Sequence, residues 1–199
     1  MKSVIRKMLF TLVALVAMGS LSSCNYNSLV EQKQDVDQKW AAVENQYQRR
    51  ADLIPNLVNT VKGYSSHESE TYVKVTEARS GLAKAQEAAG SVSDPQENLE
   101  QFQAAQDQLK SALNVYVNAV REAYPELKAN ENFMALQTQL EGTENRISTE
   151  RMRYTEAVRD YNTAIKKFPT VIYASWFGFK EMPQFKAEAG AEKAPKVEF

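Results

Sequence analysis

The sequence predicts an all-α chain: an antiparallel up-and-down four-helix bundle with long helices and an irregular C-terminal tail. Three observations carry this. Helix formers (Gln, Glu, Ala, Leu, Lys and Arg) fill the body. Glycine is scarce there, with Gly63, Gly81 and Gly90 alone between Tyr26 and Ser91 and none between Ser91 and Glu141. Apolar residues recur at helical spacing, most plainly Phe133, Leu140, Ile147, Tyr154, Tyr161 and Phe168 at intervals of seven.

The chain opens with a segment of a different kind. Lys2, Arg6 and Lys7 precede the apolar run Met8–Met18 (MLFTLVALVAM), and small residues follow. This is the layout of an export signal, with an apolar stretch short for a membrane span. It ends in Leu21-Ser22-Ser23-Cys24, which resembles a bacterial lipobox, and Cys24 is the sole cysteine. The expectation is a signal peptide over 1–23 and lipid attachment at Cys24, where each buried methylene would contribute about 0.8 kcal/mol. With one cysteine no internal disulfide can form, so the fold must stand on packing.

Residues 24–169 are expected to form the bundle. The first helix carries Leu29, Val36, Trp40, Val43 and Tyr47, the second Leu57, Val61, Tyr64, Tyr72, Val75 and Leu82. Pro55 lies between them. The apolar period runs nearly in phase through it, which favours a kink. One helix from Asn27 to Ala89 would be about 95 Å long at 1.5 Å per residue, too long for its neighbours to cover, which favours a turn at 52–54. The length argument predicts the turn, with Asp52 as a cap and Pro55 opening the second helix.

Asp94 with Pro95 and Glu97 reads as the N-cap of the third helix, which carries Leu99, Phe102, Leu109, Leu113, Tyr116, Val120 and Tyr124. Tyr124-Pro125 ends it, since the residue before proline avoids the α region. Asn130 caps the fourth helix, where Leu136, Val158 and Ile165 fill turns between the seven-residue repeats, and Phe168-Pro169 closes it. Residues 170–199 form the tail: Thr170–Phe179 is aromatic and irregular, and Ala187–Phe199 is Ala/Glu/Lys-rich with Gly and Pro and expected to be disordered.

Several chemistries are excluded by what is missing. The single histidine, His67, cannot supply the paired Glu-x-x-His motifs of a di-iron bundle or a zinc site, and reads as a polar residue on a helix flank. There is no nucleophile elbow, phosphate loop or dinucleotide fingerprint. No catalytic residue, cofactor or metal is expected. Without residues 1–23 the chain carries 21 Lys+Arg against 25 Asp+Glu, a net charge of −4, so nothing favours nucleic acid as a ligand. Glu144 and Arg151, beside the apolar stripe and near Thr143, are candidates for a polar core layer that sets register.

Five sets of residues stand out: Tyr26-Asn27-Ser28-Leu29-Val30; RRADLIPNLVNTVKGY (49–64) with His67-Glu68; YPELKANENFMALQTQLEGTENRI (124–147); Arg151, Tyr154 and VRDYN (158–162); and Phe168-Pro169 with Phe177-Gly178-Phe179. Through these, and over nearly its whole length after residue 24, the chain resembles the LemA family. The resemblance implies an antiparallel helical bundle carried at the membrane by its N-terminus, and no established activity. Members often place a transmembrane helix before the Tyr-Asn pair. Here the lipobox predicts a lipid tether, on the periplasmic side of a membrane because no acidic cluster follows Cys24.

An up-and-down path from Cys24 places Arg49–Asn56 and Tyr124–Asn130 together at the tip far from the membrane. Arg49, Arg50, Asp52, Leu53, Ile54, Pro55, Asn56, Tyr124, Pro125, Leu127 and Lys128 are the candidate partner surface, mixed in charge and aliphatic character. The other reading is that the aliphatics plug the core. Trp176, Phe177 and Phe179 fall at the membrane end, either resting at the lipid interface or folding back over the bundle. The expected role is a non-catalytic scaffold or adaptor for another envelope protein. The alternative is a ligand-binding sensor or carrier, for which Ala83, Ala85, Ala88 and Ala89 offer a run of small residues.

Overall fold

A computed structural model describes residues 2–63, 76–77, 79–81, 83–84, 86–87, 94 and 96–186; within 2–25 it describes the side chain of Met8 alone. Among these residues the structure is all-helical. Helix α1 spans Lys2–Lys62 (61 residues), α2 Leu99–Ala123 (25), α3 Glu131–Lys166 (36) and α4 Thr170–Tyr173 (4), with a 3-10 helix at Pro125–Ala129. The described residues within 76–87 are also helical and almost all exposed.

The predicted turn at 52–54 is not there. α1 runs through Pro55 and stops at Lys62, with Gly63 in a turn. A proline inside a helix removes one hydrogen bond and costs about 3 kcal/mol. Two features offset that. Pro55 is exposed, so the freed carbonyl one turn back has access to water. Leu53, Ile54, Leu57 and Val61 are all buried, and each contributes about 1.5–3 kcal/mol. Asp52 is consequently a mid-helix residue, accepting from Gln48 Nε2 at 2.8 Å. The length constraint is met elsewhere: ending at Lys62 makes the stretch from Asn27 as long as the 36-residue α3.

The start of α2 also differs. Asp94 does not cap it; its φ is +44°, and Asn98 N–H bonds back to its carbonyl before the helix begins at Leu99. The other ends agree with their sequence signals. α2 stops at Ala123, before Tyr124-Pro125, and Asn130 Oδ1 accepts the N–H of Phe133 at 2.9 Å as the cap of α3. α3 ends at Lys166, which leaves Phe168 exposed rather than in the buried stripe.

The chain divides into two compact units, residues 1–41 with 153–182 and residues 42–152 with 183–199. In the first, Leu29, Val36 and Trp40 of α1 and Tyr154, Val158, Tyr161 and Ile165 of α3 are buried. The Trp40 and Tyr154 rings lie 5.3 Å apart, and Asp37 lies near Tyr161, so these stretches run antiparallel. Residues 170–179 add α4 and a closing turn. Gly178 N–H bonds to Ser175 O and Phe179 N–H to Ala174 O, a Schellman cap that needs the φ of +79° adopted by Gly178.

In the second unit, Tyr47 meets Phe102 at 5.1 Å and Arg50 meets Gln106, so α1 and α2 run parallel. α2 and α3 are joined through the 3-10 turn, which buries Leu127 completely, and run antiparallel. One apolar cluster reaches from Leu53, Ile54, Leu57 and Val61 through Leu109, Leu113, Tyr116 and Val120 to Tyr124, Leu127, Phe133 and Leu140. Tyr64, His67, Tyr72, Val75, Leu82, Ser91–Ser93, Pro95 and residues 187–199 lie outside the described residues.

Candidate functional site

The second unit contains a charged layer within its apolar core. Arg50 is 1% exposed. Its Nη1 donates to Glu144 Oε1 at 2.5 Å, and its Nη2 donates to Gln106 Oε1 at 2.5 Å and Gln106 O at 3.2 Å. Its guanidinium also lies 5.2 Å from the centre of the Tyr47 ring, within cation–π range. Three helices thus meet through one side chain. Burial pushes the Tyr47 hydroxyl up from its ordinary value, and the positive charges of Arg151 and Arg50 partly oppose that.

The sequence carried a sign of this placement. Val36, Trp40, Val43, Tyr47, Ile54, Leu57 and Val61 follow the alternating three–four spacing of a helix seam, and Arg50 occupies the step between Tyr47 and Ile54. A buried charge at a seam position needs a partner, and the half-buried Glu144 of α3 supplies it. Thr143, fully buried, bonds its own helix through Gln139 O at 2.7 Å. Arg151 stacks over Phe185, 4.5 Å from the ring centre. The expected layer of Thr143, Glu144 and Arg151 therefore lacked its central member.

A cleft of about 290 Å³ opens beside this layer, its walls including Asp107, Lys110, Ser148, Arg151 and Lys186. The tail segment 183–186 runs past it. Gln103 grips Lys186 by both backbone groups: Nε2 donates to Lys186 O at 2.9 Å, and Oε1 accepts from Lys186 N–H at 3.1 Å. In the first unit Asn162 grips Met182 in the same way, at 2.9 Å in each direction. A side-chain amide is well matched to this, since it presents a donor and an acceptor side by side.

The expected partner surface needs correction. Arg50, Leu53, Ile54, Tyr124 and Leu127 are buried, because an unbroken α1 turns the first three into the core and the 3-10 turn does the same for Leu127. Arg49, Asp52, Pro55, Asn56, Pro125 and Lys128 remain exposed. Arg49–Asn56 is not a tip, since α1 continues past it to Lys62. Of the small residues proposed to line a ligand site, Ala83 is exposed, and Ala85, Ala88 and Ala89 lie outside the described residues. Trp176 and Phe177 are exposed; Phe179 is partly covered by Tyr26, with the two rings 5.6 Å apart. No group of three or more metal-ligating side chains occurs among the described residues. No described helix is long and apolar enough to cross a membrane.

Comparison with known proteins adds to this geometry. The sequence pattern that defines the LemA family matches residues 39–199. The chain belongs to the LemA family. It is 23% identical to Protein LemA of Metamycoplasma hominis over 150 residues, 75% of this chain and 60% of that protein. It is also 24% identical to Magnetosome protein MamQ 2 of Paramagnetospirillum magneticum over 201 residues, covering 93% of this chain and 73% of the relative. Magnetosome protein MamQ of Magnetospirillum gryphiswaldense is 24% identical over 190 residues, 88% and 70% of the two chains. The LemA-family match includes the Arg50 layer, the 3-10 turn and the tail, so those features sit within the family's domain.

Proposed function

We propose that this LemA-family chain is a non-catalytic body of the bacterial envelope, tethered through lipid on Cys24 at the periplasmic side of a membrane, that acts as a scaffold or adaptor for another envelope protein. The observation that carries this reading is the charged layer. The one deeply buried charge in the described core is held by contacts among three helices, an arrangement suited to fixing their register. The relatives support it: none of them is named for a reaction.

In the second unit the parallel course of α1 and α2 calls for a return crossing between them, and a helix there would complete an up-and-down four-helix bundle. The partner surface reduces to the exposed Arg49, Asp52, Pro55 and Asn56 on α1 with Pro125 and Lys128 on the turn. The test is site-specific photocrosslinking in intact cells. The reading expects discrete adducts from positions 52 and 128 and none from Glu156, which is exposed on the first unit. Equal background at all three positions contradicts the adaptor role.

The 290 Å³ cleft favours a second reading, a carrier or sensor for a small anionic or peptidic ligand. That reading expects added anionic peptide to raise the unfolding temperature, and to lose the effect in Arg151→Ala.

A further inference from the structure

Resting on the tether proposed above, we infer that the first unit carries a second membrane contact, an apolar surface that lies on the lipid headgroup region. Its members are Phe168 (81% exposed), Trp176 (81%), Phe177 (60%), Ile172 (53%), Val171 (51%) and Tyr26 (39%). Scattered exposed apolar residues are ordinary, but these are held together. Ile172 and Trp176 are four apart along a run of turn hydrogen bonds, Ile172 N–H to Pro169 O, Ala174 N–H to Thr170 O and Phe177 N–H to Tyr173 O, and Phe168 stands exposed just before it. Thr170 and Ala174 take the buried side of that run, which sends Val171 and Ile172 outward. The Schellman cap at Gly178 then turns the chain so that Phe177 meets Tyr26 edge-on, 5.2 Å between ring centres.

Position identifies lipid as the occupant. Tyr26 follows Cys24 by two residues of the same helix, a rise of about 3 Å, so the tether holds this surface at headgroup depth. The composition suits that depth, since Trp and Tyr have an apolar body with one polar handle and concentrate at membrane interfaces. Charge agrees as well. Lys167 and Lys180 are exposed beside the surface, and Glu181 is paired with Lys166 at 2.7 Å. Lysines at such an edge can extend toward anionic headgroups while their stems cover apolar surface.

The test uses the full-length chain extracted from membranes and reconstituted into phosphatidylcholine–phosphatidylglycerol vesicles. Wild type is compared with Trp176→Phe, whose remaining tryptophan, Trp40, is buried against Tyr154 and serves as the internal reference. The expected result is that the emission lost on substitution, that of Trp176, is quenched when the vesicles contain lipids brominated on the upper acyl chain. Trp40 stays unquenched. Quenching of Trp176 by aqueous acrylamide but not by bromolipid overturns the inference, and so does protection from both, which means protein covers the patch. A chain that floats with the vesicles while Trp176 stays out of lipid refutes this contact and leaves the tether standing. A chain that does not float refutes both.

Discussion

Arg50 and Glu144 form a pair whose members differ in what they can do alone. The Arg50 side chain is 2% exposed and Glu144 is 27% exposed. Removing the carboxylate strands a buried cation, whereas removing the guanidinium leaves an anion that can turn to water. Glu144→Leu is therefore expected to destabilise the fold by about 3 kcal/mol and Arg50→Met by about half as much, with the double substitution recovering part of the Glu144→Leu loss. Urea unfolding of the three variants reads this directly, and equal costs for the two single changes would contradict the asymmetry. Buried tyrosines set the alkaline limit. Burial pushes Tyr116 from about 10 up to about 12, and raises Tyr161 as well. The folded state thus keeps protons that the unfolded chain releases. These groups' contribution is complete below pH 10 and is lost as pH rises toward 12. Tyr116→Phe should flatten the fall in stability across that window. At this scale the sequence was half legible. Glu144 was recognisable as a member of a polar layer because it flanks an apolar stripe, but Arg50 was hidden by its setting among other charges and by the proline that follows.

Helix α1 shows why a proline is a weaker signal than a seam. The three–four spacing passes through residue 55 without a slip, and α1 instead ends at Lys62, with Gly63 in a turn. A length argument alone cannot say which of two candidate positions ends a helix, and here it selected the wrong one. If Pro55 sits in a continuous helix, Pro55→Ala restores a hydrogen bond and should stabilise the chain by about 1–3 kcal/mol. If it opened a helix, the same change would be neutral or unfavourable. Thermal or chemical unfolding distinguishes the two. The tail behaves as an element although it has no regular structure from 180 to 186. Gln103→Ala should release Lys186, seen as faster amide exchange there, while Met182, held by Asn162, stays protected. Such clamps have no sequence signature, because Gln and Asn on a helix are ordinary surface residues until a backbone lies across them. Asn130 is the opposite case: its position just before an apolar-periodic run is a cap signal, and it caps α3.

For the whole molecule, helical composition and family motifs made the all-α class readable, since both are distributed over the chain rather than held in one contact. The partner surface was less readable, because burial depends on where helices begin and end. Arg50, Leu53 and Ile54 went into the core because α1 is continuous, and Tyr124 and Leu127 because the chain turns through a 3-10 helix after α2. Cys24 decides how this LemA-family body meets the membrane in the function proposed for it. α1 is helical across Cys24, so the proposed cleavage before that residue would leave a first helix running from residue 24 to Lys62. Intact-mass spectrometry of the chain extracted from membranes tests this most directly. The expected mass is that of residues 24–199 plus the lipid on Cys24. A chain that retains Met1 and an unmodified Cys24 would contradict it.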